Sequence, residues 1–281
     1  ASDVYKRQDI GNINLIYENA HKKYCLPFSE ANLTDANKEY LQKYLDVTKS
    51  QMFFAKGIIF VEGISEAILL PEIAKILDRP LEKYAVELVN VDSVAFSPFV
   101  NLFSSQNVQT CFSKVAIVTD DDRCTKKSET NYINKDFDYD DVNSDISGKL
   151  LSGTPSERCN ELETSCRAVG INVFKATKTL EYALCCDENN IEYFIEAIKS
   201  EYSQLGPALE QKVNSLHDMN EKAACVWLFI RAREKCKGAI AQYISQIIKK
   251  QCEMRKRGEN IEKEFVIPDY LKEAVYCVTE R

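Results

Sequence analysis

The run Gly57-Ile58-Ile59-Phe60-Val61 constrains the fold more than any other part of this 281-residue sequence. It is a continuous β-branched and aromatic run, and Glu62-Gly63 ends it. Runs of this kind are typical of strands that are buried on both faces. The run therefore predicts a strand inside a sheet that other elements cover on both sides.

Strand-like and helical segments then alternate along the chain. The predicted strands cover residues 85–91, 114–119 and 171–174, and the predicted helices between them cover residues 65–76, with Ser65 as the cap, 98–103 and 156–168. This alternation predicts an α/β fold, with a parallel sheet of about four strands flanked by helices. Beyond residue 189, helical spacing recurs in segments 191–202, 207–216, 220–235, 239–255 and 268–279, which predicts a helical C-terminal part.

Two segments lack a strand pattern. Residues 9–47 are interpreted as helical and polar, because a capping residue in the stretch Leu33-Thr34-Asp35 is followed by apolar residues at helical spacing. Residues 123–155 are rich in Asp, Lys, Asn, Ser and Thr and offer few apolar anchors. They are predicted to form a long surface loop.

The composition narrows the kind of metal site that the chain could hold. Eleven cysteines without a CxxC pair argue against a zinc site and suit a reducing cytoplasm better than a disulfide framework. With two histidines, the chain would have to bind a metal through carboxylates, which favour hard ions such as Mg²⁺, Mn²⁺ or Ca²⁺. No apolar run of about 18 residues exists, so no membrane span is predicted.

Carboxylates follow two of the predicted strands at the point where each strand ends. Glu62 and Glu66 follow the first strand, and Asp120 and Asp122 follow the third. In an open α/β sheet, ligands bind at the carboxyl ends of the strands, so these side chains are expected to converge on one or two cations. In extended geometry Asp120 and Asp122 point the same way and Asp121 points the other way.

A simpler interpretation stays open on position alone. Acidic residues at strand ends and helix N-termini are common, because they are solvated and interact favourably with the helix dipole. The order of a strand-Glu-Gly turn followed by a strand that ends in Asp-x-Asp favours the metal interpretation.

That order resembles the Toprim domain, and the run from Ile59 through Glu62 and Glu66 to Leu70 resembles the Toprim opening of OLD-family (overcoming lysogenization defect) nucleases. The family often has Asp where Glu66 stands and Gly where Ser93 stands. Further segments that resemble the family are 44–48 with 53–57, 89–92 with Phe96 and Phe99, 118–122, 179–184, 237–242 and 267–268. The resemblance covers nearly all of the chain after about Asp35.

The resemblance implies a metal-dependent DNA endonuclease that hydrolyses phosphodiester bonds with two Mg²⁺ or Mn²⁺ ions, in phage defence or DNA repair. The implied metal ligands are Glu62, Glu66, Asp120, Asp122 and Glu181. Glu62 and Lys237 are the implied catalytic residues, with Lys237 neutralising charge on the scissile phosphate. A helix N-terminal acid and a solvated lysine are the simpler interpretations of Glu181 and Lys237.

The resemblance also implies partners and a domain division. The expected partners are DNA and an N-terminal ATPase domain of the same full-length protein, and a homodimer is left open. No ATPase activity is expected here, because Gly148-Lys149 lacks the other residues of a Walker A sequence. The expected units are residues 1–53, a helical tail of a missing ATPase domain or a linker; 54–187, a Toprim catalytic domain with 124–155 as the loop; and 188–281, a helical subdomain.

Two other functions are compatible with these residues. One is a Toprim module of a primase or a topoisomerase, which keeps the fold but uses it for primer synthesis or strand passage. The other is a non-catalytic interaction module in which the acidic residues are merely solvated. Binding of divalent metal distinguishes a nuclease from the non-catalytic module. Cleavage of plasmid DNA without nucleoside triphosphates distinguishes a nuclease from a primase or topoisomerase module.

Overall fold

A computed structural model describes residues 10–19, 22–31, 33–44, 49–102 and 114–280 of the chain. The strands are β1 (Asn14–Asn19), β2 (Lys22–Pro27), β3 (Gly57–Val61), β4 (Val86–Asn90), β5 (Val115–Asp120) and β6 (Asn172–Ala176). The α-helices are α1 (Asp35–Tyr44), α2 (Ile64–Ile76), α3 (Ser97–Leu102), α4 (Ser144–Ser152), α5 (Glu157–Ala168), α6 (Leu180–Cys185), α7 (Glu188–Glu201), α8 (Leu205–Ser215), α9 (Met219–Arg231), α10 (Lys237–Arg257) and α11 (Asp269–Thr279).

Four of the strands form a parallel sheet in the order β4-β3-β5-β6. Strand β3 lies at the centre, with Val61 opposite Asn90 of β4 and opposite Val118 of β5. Every residue of β3 is buried, as its sequence predicts for a strand covered on both faces. The predicted α/β fold, with a parallel sheet of four strands, flanking helices and a helical C-terminal part, is confirmed.

Alternate residues of β3 enter two separate cores, one on each face of the sheet. Ile59 and Val61 pack in the core that includes the C-terminal helices. Ile58 and Phe60 pack in the core that β1, α1 and α3 share. Side chains alternate between the faces of a strand, so one apolar run joins both halves of the protein. On the first face, α11 packs on β3, β5 and β6, and α10 packs along α2.

The helical prediction for residues 9–47 is wrong in its first half. Strands β1 and β2 form an antiparallel pair with Asn14 opposite Pro27. Helix α1 does follow, and Thr34 Oγ1 accepts a hydrogen bond from the Asn37 amide at 3.2 Å. Residues 45–48 lie outside the described residues; they are part of the segment that resembles the family's lead-in to the Toprim domain. Residue 103, the last residue of the predicted helix 98–103, also lies outside them.

The prediction of a long surface loop at residues 123–155 is wrong for residues 144–152, which form a helix, and for the apolar residues of the segment that are buried. The segment contains α4, and most of its apolar residues are buried in the same core as α9, although Leu151 is 60% exposed. Arg231 of α9 donates hydrogen bonds to the carbonyls of Asn134 and Phe137, and Arg233 pairs with Asp138 at 2.9 Å. The two hydrogen bonds of Arg231 satisfy backbone carbonyls of residues that lie 97 and 94 positions earlier in the sequence.

No α-helix in the described residues is long and apolar enough to cross a membrane. Helix α10, which spans 21 residues, carries charged residues at its C-terminal end. Lys237 is the first residue of this helix.

Candidate metal centre

Strands β3 and β5 end side by side, and this brings Glu62 to Asp120. Val61 pairs with Val118, so the next residues of the two strands, Glu62 and Thr119, are also neighbours. Glu62 Oε2 accepts hydrogen bonds from Thr119 Oγ1 at 2.6 Å and from the Asp120 amide at 3.4 Å. The structure therefore places both predicted residues at the same end of the sheet.

Glu66 lies in the first turn of α2, directly after the turn that ends β3. Gly63 is the N-cap of α2 with extended backbone, so the prediction that Ser65 caps this helix is wrong. Ser65 is buried and its Oγ donates to Glu181 Oε1 at 3.5 Å. Glu66 is 6% exposed. Burial raises its pKa to about 7, and the negative charges of Glu181 and Glu62 add to this effect.

Asp120 is held by the start of α6. Its Oδ1 accepts a hydrogen bond from the Leu180 amide at 2.9 Å. Burial raises the pKa of Asp120 well above its usual range, and the charges of Glu66, Glu181 and Glu62 raise it further. Asp120 therefore lies among three other carboxylates rather than beside a compensating cation.

Glu181 and Lys237 approach the same point from two helices. Thr179 caps α6 by accepting a hydrogen bond from the Tyr182 amide, and this directs Glu181, 6% exposed, into the interior. Lys237 Nζ lies 3.9 Å from Glu181 Oε1. The negative charge of Glu181 raises the pKa of Lys237, against the opposing effect of burial. The lysine is therefore a cation that faces the carboxylates.

Asp122 joins the cluster differently from what extended geometry predicts. Its backbone is left-handed, with φ of 51°, so the chain has already turned after β5. Asp122 Oδ2 accepts a hydrogen bond from Arg158 Nη2 at 2.7 Å, and the same nitrogen lies 3.8 Å from Glu62 Oε2. Asp122 thus contacts the rest of the cluster through an arginine.

Asp121 points away from the cluster, as predicted. It is 2% exposed, and its carboxylate accepts hydrogen bonds from the Arg123 side chain at 2.6 and 2.8 Å. The amides of Arg123 and Lys178 donate to it as well, at 3.1 and 2.9 Å. Asp121 is a structural residue that fixes the turn after β5.

Two residues of the cluster carry no signal in the sequence. Arg158 is an ordinary charged position in the first turn of α5, and its contact with Asp122 depends on how α5 packs. Tyr270 of α11 has a buried hydroxyl with no hydrogen-bond partner in the described residues. Burial raises the pKa of Tyr270 well above its usual range, and Asp120, Glu66 and Glu181 contribute to this. The prediction of a final helix after Pro268 did not indicate which of its side chains faces the acids.

The donor atoms of the cluster fit a hard divalent cation. Five carboxylates provide oxygen ligands, which Mg²⁺ and Mn²⁺ prefer, and the two nearest cations, Lys237 and Arg158, leave the charge unbalanced. Across the described residues, however, no three Asp, Glu, His or Cys side chains are arranged around one point as ligands. Binding of an ion therefore requires some of these side chains to change rotamer.

Part of the sequence matches a known family. Residues 53–122 match the family model described as the Toprim domain of overcoming lysogenization defect protein-like proteins. The endonuclease GajA of Bacillus cereus (strain HuB5-5) is 28% identical over an alignment of 171 positions that covers 57% of this chain. The chain spans about a quarter of that relative, because the match covers 23% of its length.

Solved C-terminal regions of OLD proteins are similar in structure to the chain. The region from Xanthomonas campestris pv. campestris has a TM-score of 0.48 and 20% identity, and the match covers 82% of this chain and 95% of that one. The region from Burkholderia pseudomallei has a TM-score of 0.47 and 20% identity, with 80% and 97% covered.

Proposed function

We propose that this chain, whose residues 53–122 form an OLD-like Toprim domain, is a metal-dependent endonuclease that hydrolyses phosphodiester bonds of DNA. One observation carries the proposal. Glu62 after β3 and Asp120 after β5 meet at the same edge of a parallel sheet, joined by the hydrogen bonds of Thr119 and of the Asp120 amide to Glu62. Ligands bind at this edge in open α/β sheets.

The burial of the acidic residues supports a binding site over a solvated cluster. Glu66 and Glu181 are each 6% exposed, so water compensates little of their charge. Buried carboxylates that repel one another reduce stability unless a proton or a cation is present. Such arrangements occur mainly where a function requires them. This argues against the alternative of a non-catalytic module whose acids are merely solvated.

The proposed cofactor is a pair of Mg²⁺ or Mn²⁺ ions held by Glu62, Glu66, Asp120, Asp122 and Glu181. When bound, two such ions activate the attacking water and stabilise the leaving 3′ oxygen of the cleaved strand. The protein fixes the orientation of Glu62 through Thr119 Oγ1 and that of Asp120 through the Leu180 amide. Lys237, which faces Glu181 at 3.9 Å, is placed to neutralise charge on the scissile phosphate.

The setting of this activity is part of the same proposal. The relative named endonuclease GajA is about four times as long as the segment it shares with this chain. We propose that the chain works with an N-terminal ATPase domain, as an ATP-dependent endonuclease of the OLD family in phage defence or DNA repair. The ten described cysteines are all free, which suits the reducing cytoplasm. A homodimer remains a prediction.

Cleavage of supercoiled plasmid in Mg²⁺ or Mn²⁺, without nucleoside triphosphates, tests the proposal. The parent should produce nicked or linear DNA. Asp120→Asn, which keeps the shape of the side chain but removes its charge, should reduce the rate by at least about 100-fold. Asp35→Asn, at a fully exposed position on α1, is the matched control and should cleave like the parent.

Three results would contradict the proposal. Equal cleavage by Asp120→Asn and the parent would show that these carboxylates do not carry the reaction. Relaxed, covalently closed product would indicate strand passage, as in a topoisomerase. Absence of cleavage by the parent at every metal concentration would remove the nuclease assignment from the described chain.

A further inference from the structure

The cation nearest to Glu62 and Asp122 is a side chain of the protein itself. Arg158 Nη2 lies 2.7 Å from Asp122 Oδ2 and 3.8 Å from Glu62 Oε2. The same nitrogen donates a hydrogen bond to the Asp120 carbonyl at 3.1 Å. A single guanidinium nitrogen therefore lies between the two carboxylates that an incoming metal ion would share.

This arrangement divides the cluster into two parts of different charge. The arginine side consists of Glu62, Asp122 and Arg158, in which a cation already contacts the carboxylates. The acid side consists of Glu66, Asp120 and Glu181, and the cation closest to it is Lys237, at 3.9 Å from Glu181. The two sides therefore offer an incoming cation different net charge.

Arg158 is not held as firmly as a purely structural arginine. Its Nη1 is buried and has no hydrogen-bond partner in the described residues, and its side chain is 29% exposed. An unsatisfied buried donor is unfavourable, so the contact with Asp122 leaves the guanidinium only partly satisfied. Arg123 is an example of a firmly held arginine, because both its Nε and its Nη2 donate hydrogen bonds to Asp121.

A cavity beside Arg158 offers the guanidinium a second position. The cavity has a volume of about 190 Å³. Arg158 lines it together with four other polar residues, Ser97, Asn101, Glu161 and Ser165, and three apolar ones, Val94, Val100 and Leu162. By the same measure of volume, one water molecule needs about 10 to 15 Å³, so the cavity has room for several. Glu161 lies three residues after Arg158 on α5, a spacing at which opposite charges on a helix attract each other.

We propose that Arg158 is a built-in counter-cation that competes with one of the two metal ions for Glu62 and Asp122. The first ion binds on the acid side. The second ion binds on the arginine side only when Arg158 leaves the two carboxylates, and the cavity next to Glu161 receives the guanidinium. Arg158 thereby sets the affinity of the second ion, a role that rests on the proposed metal-dependent function.

Calorimetric titration of the metal-free chain with Mn²⁺ tests this role. The parent should bind one ion tightly and the second more weakly. A neighbouring cation shifts the proton affinity of a carboxylate by about one to three pKa units, so its removal should change metal affinity by at least about tenfold. Arg158→Met should therefore bind the second ion at least about tenfold more tightly than the parent, whereas Arg158→Lys keeps the charge and should resemble the parent.

Arg167→Met is the matched control, because Arg167 lies on the same helix, is 79% exposed and pairs with Glu163. It should titrate like the parent. Melting curves add a second readout that is independent of activity. In EDTA, Arg158→Met should melt below the parent, since Glu62 and Asp122 then lack a cation, and Mn²⁺ should restore more stability to it than to the parent.

The outcomes separate this inference from the proposed function. If the parent binds two ions and Arg158→Met binds the second equally or less tightly, Arg158 does not compete and the inference is wrong, while the metal site stands. If the parent binds no Mn²⁺, both the inference and the proposed function are overturned. If Arg158→Met does not fold, Arg158→Gln, which keeps a donor for Asp122, replaces it under the same criteria.

Discussion

Replacing Glu66 with Gln should stabilise the metal-free protein at a pH above about 4.5, and the gain should reach its full size above about pH 7. The folded state raises the pKa of Glu66 from 4.5 to about 7, chiefly through burial and then through the charge of Glu181. Between these two pH values the folded protein holds a proton that the unfolded chain has released. The stability therefore falls as the pH rises from 4.5 to about 7.

The size of the effect follows from this difference in pKa. A gap of about 2.5 pKa units corresponds to about 3 kcal/mol, at about 1.36 kcal/mol per unit. The glutamine side chain of the variant stays neutral at every pH and carries no such cost. Glu66→Gln should therefore be more stable than the parent by as much as about 3 kcal/mol near pH 8, and equal to it near pH 4.5.

Urea denaturation in EDTA at these two pH values measures the difference in the free energy of unfolding. Glu273→Gln, at an exposed position on α11, is the control and should match the parent at both. A Glu66→Gln protein that is less stable than the parent near pH 8 would refute the reasoning. So would a stability difference that does not change with pH, since it would come from packing and not from the charge.

Three further changes separate structural from functional residues around the same site. Asp121→Asn should destabilise the protein by about 3 to 5 kcal/mol, because it breaks a buried ion pair with Arg123. Asp120→Asn should not destabilise it, and urea denaturation in EDTA gives the free energy of unfolding of both variants. Tyr270→Phe removes a buried hydroxyl that has no partner in the described residues, so it should leave the stability equal or raise it by about 1 kcal/mol, as a melting curve would reveal. Mg²⁺ or Mn²⁺ should raise the melting temperature of the parent, because an ion at 100 times its Kd adds about 2.7 kcal/mol to the free energy of unfolding. The melting temperature of Asp120→Asn should not rise.

The sheet and the meeting of Glu62 with Asp120 were predictable from the sequence. Buried strands of a parallel sheet are short continuous apolar runs, and β3 is one of them. Parallel strands also end at the same edge of their sheet, so Glu62 and Asp120 were expected at one edge, and the adjacency of β3 and β5 in the structure makes them neighbours. No knowledge of side-chain packing is needed for either step.

The strands before Gly57 were not predictable by periodicity. In β1, Leu15 is buried but the adjacent Ile16 is 72% exposed, so the apolar residues do not mark one face of a strand. In residues 123–155 the deciding contacts come from Arg231, the last residue of α9, and from Arg233 just after it, both of which are distant in sequence. Hydrophobic patterns report local structure and contain no information on such pairings.

Arg158 and Tyr270 show the same limit within the site. Each lies on a predicted helix, but its place in the cluster depends on how α5 and α11 are rotated against the sheet. The left-handed backbone at Asp122 is likewise a local detail that alters a prediction made for extended geometry. The sequence therefore indicated where Glu62 and Asp120 would lie, but it gave no indication of the places of Arg158 and Tyr270.

A crystal of the chain soaked in Mn²⁺ tests the central claim most directly, through the anomalous difference density of the ion. The claim is that the carboxylates at the ends of β3 and β5 bind divalent cations. We expect a peak at about 2 Å from oxygens of Asp120 and of at least one residue among Glu62, Glu66 and Glu181. A crystal with strong Mn²⁺ peaks elsewhere and none at these four carboxylates would contradict the claim.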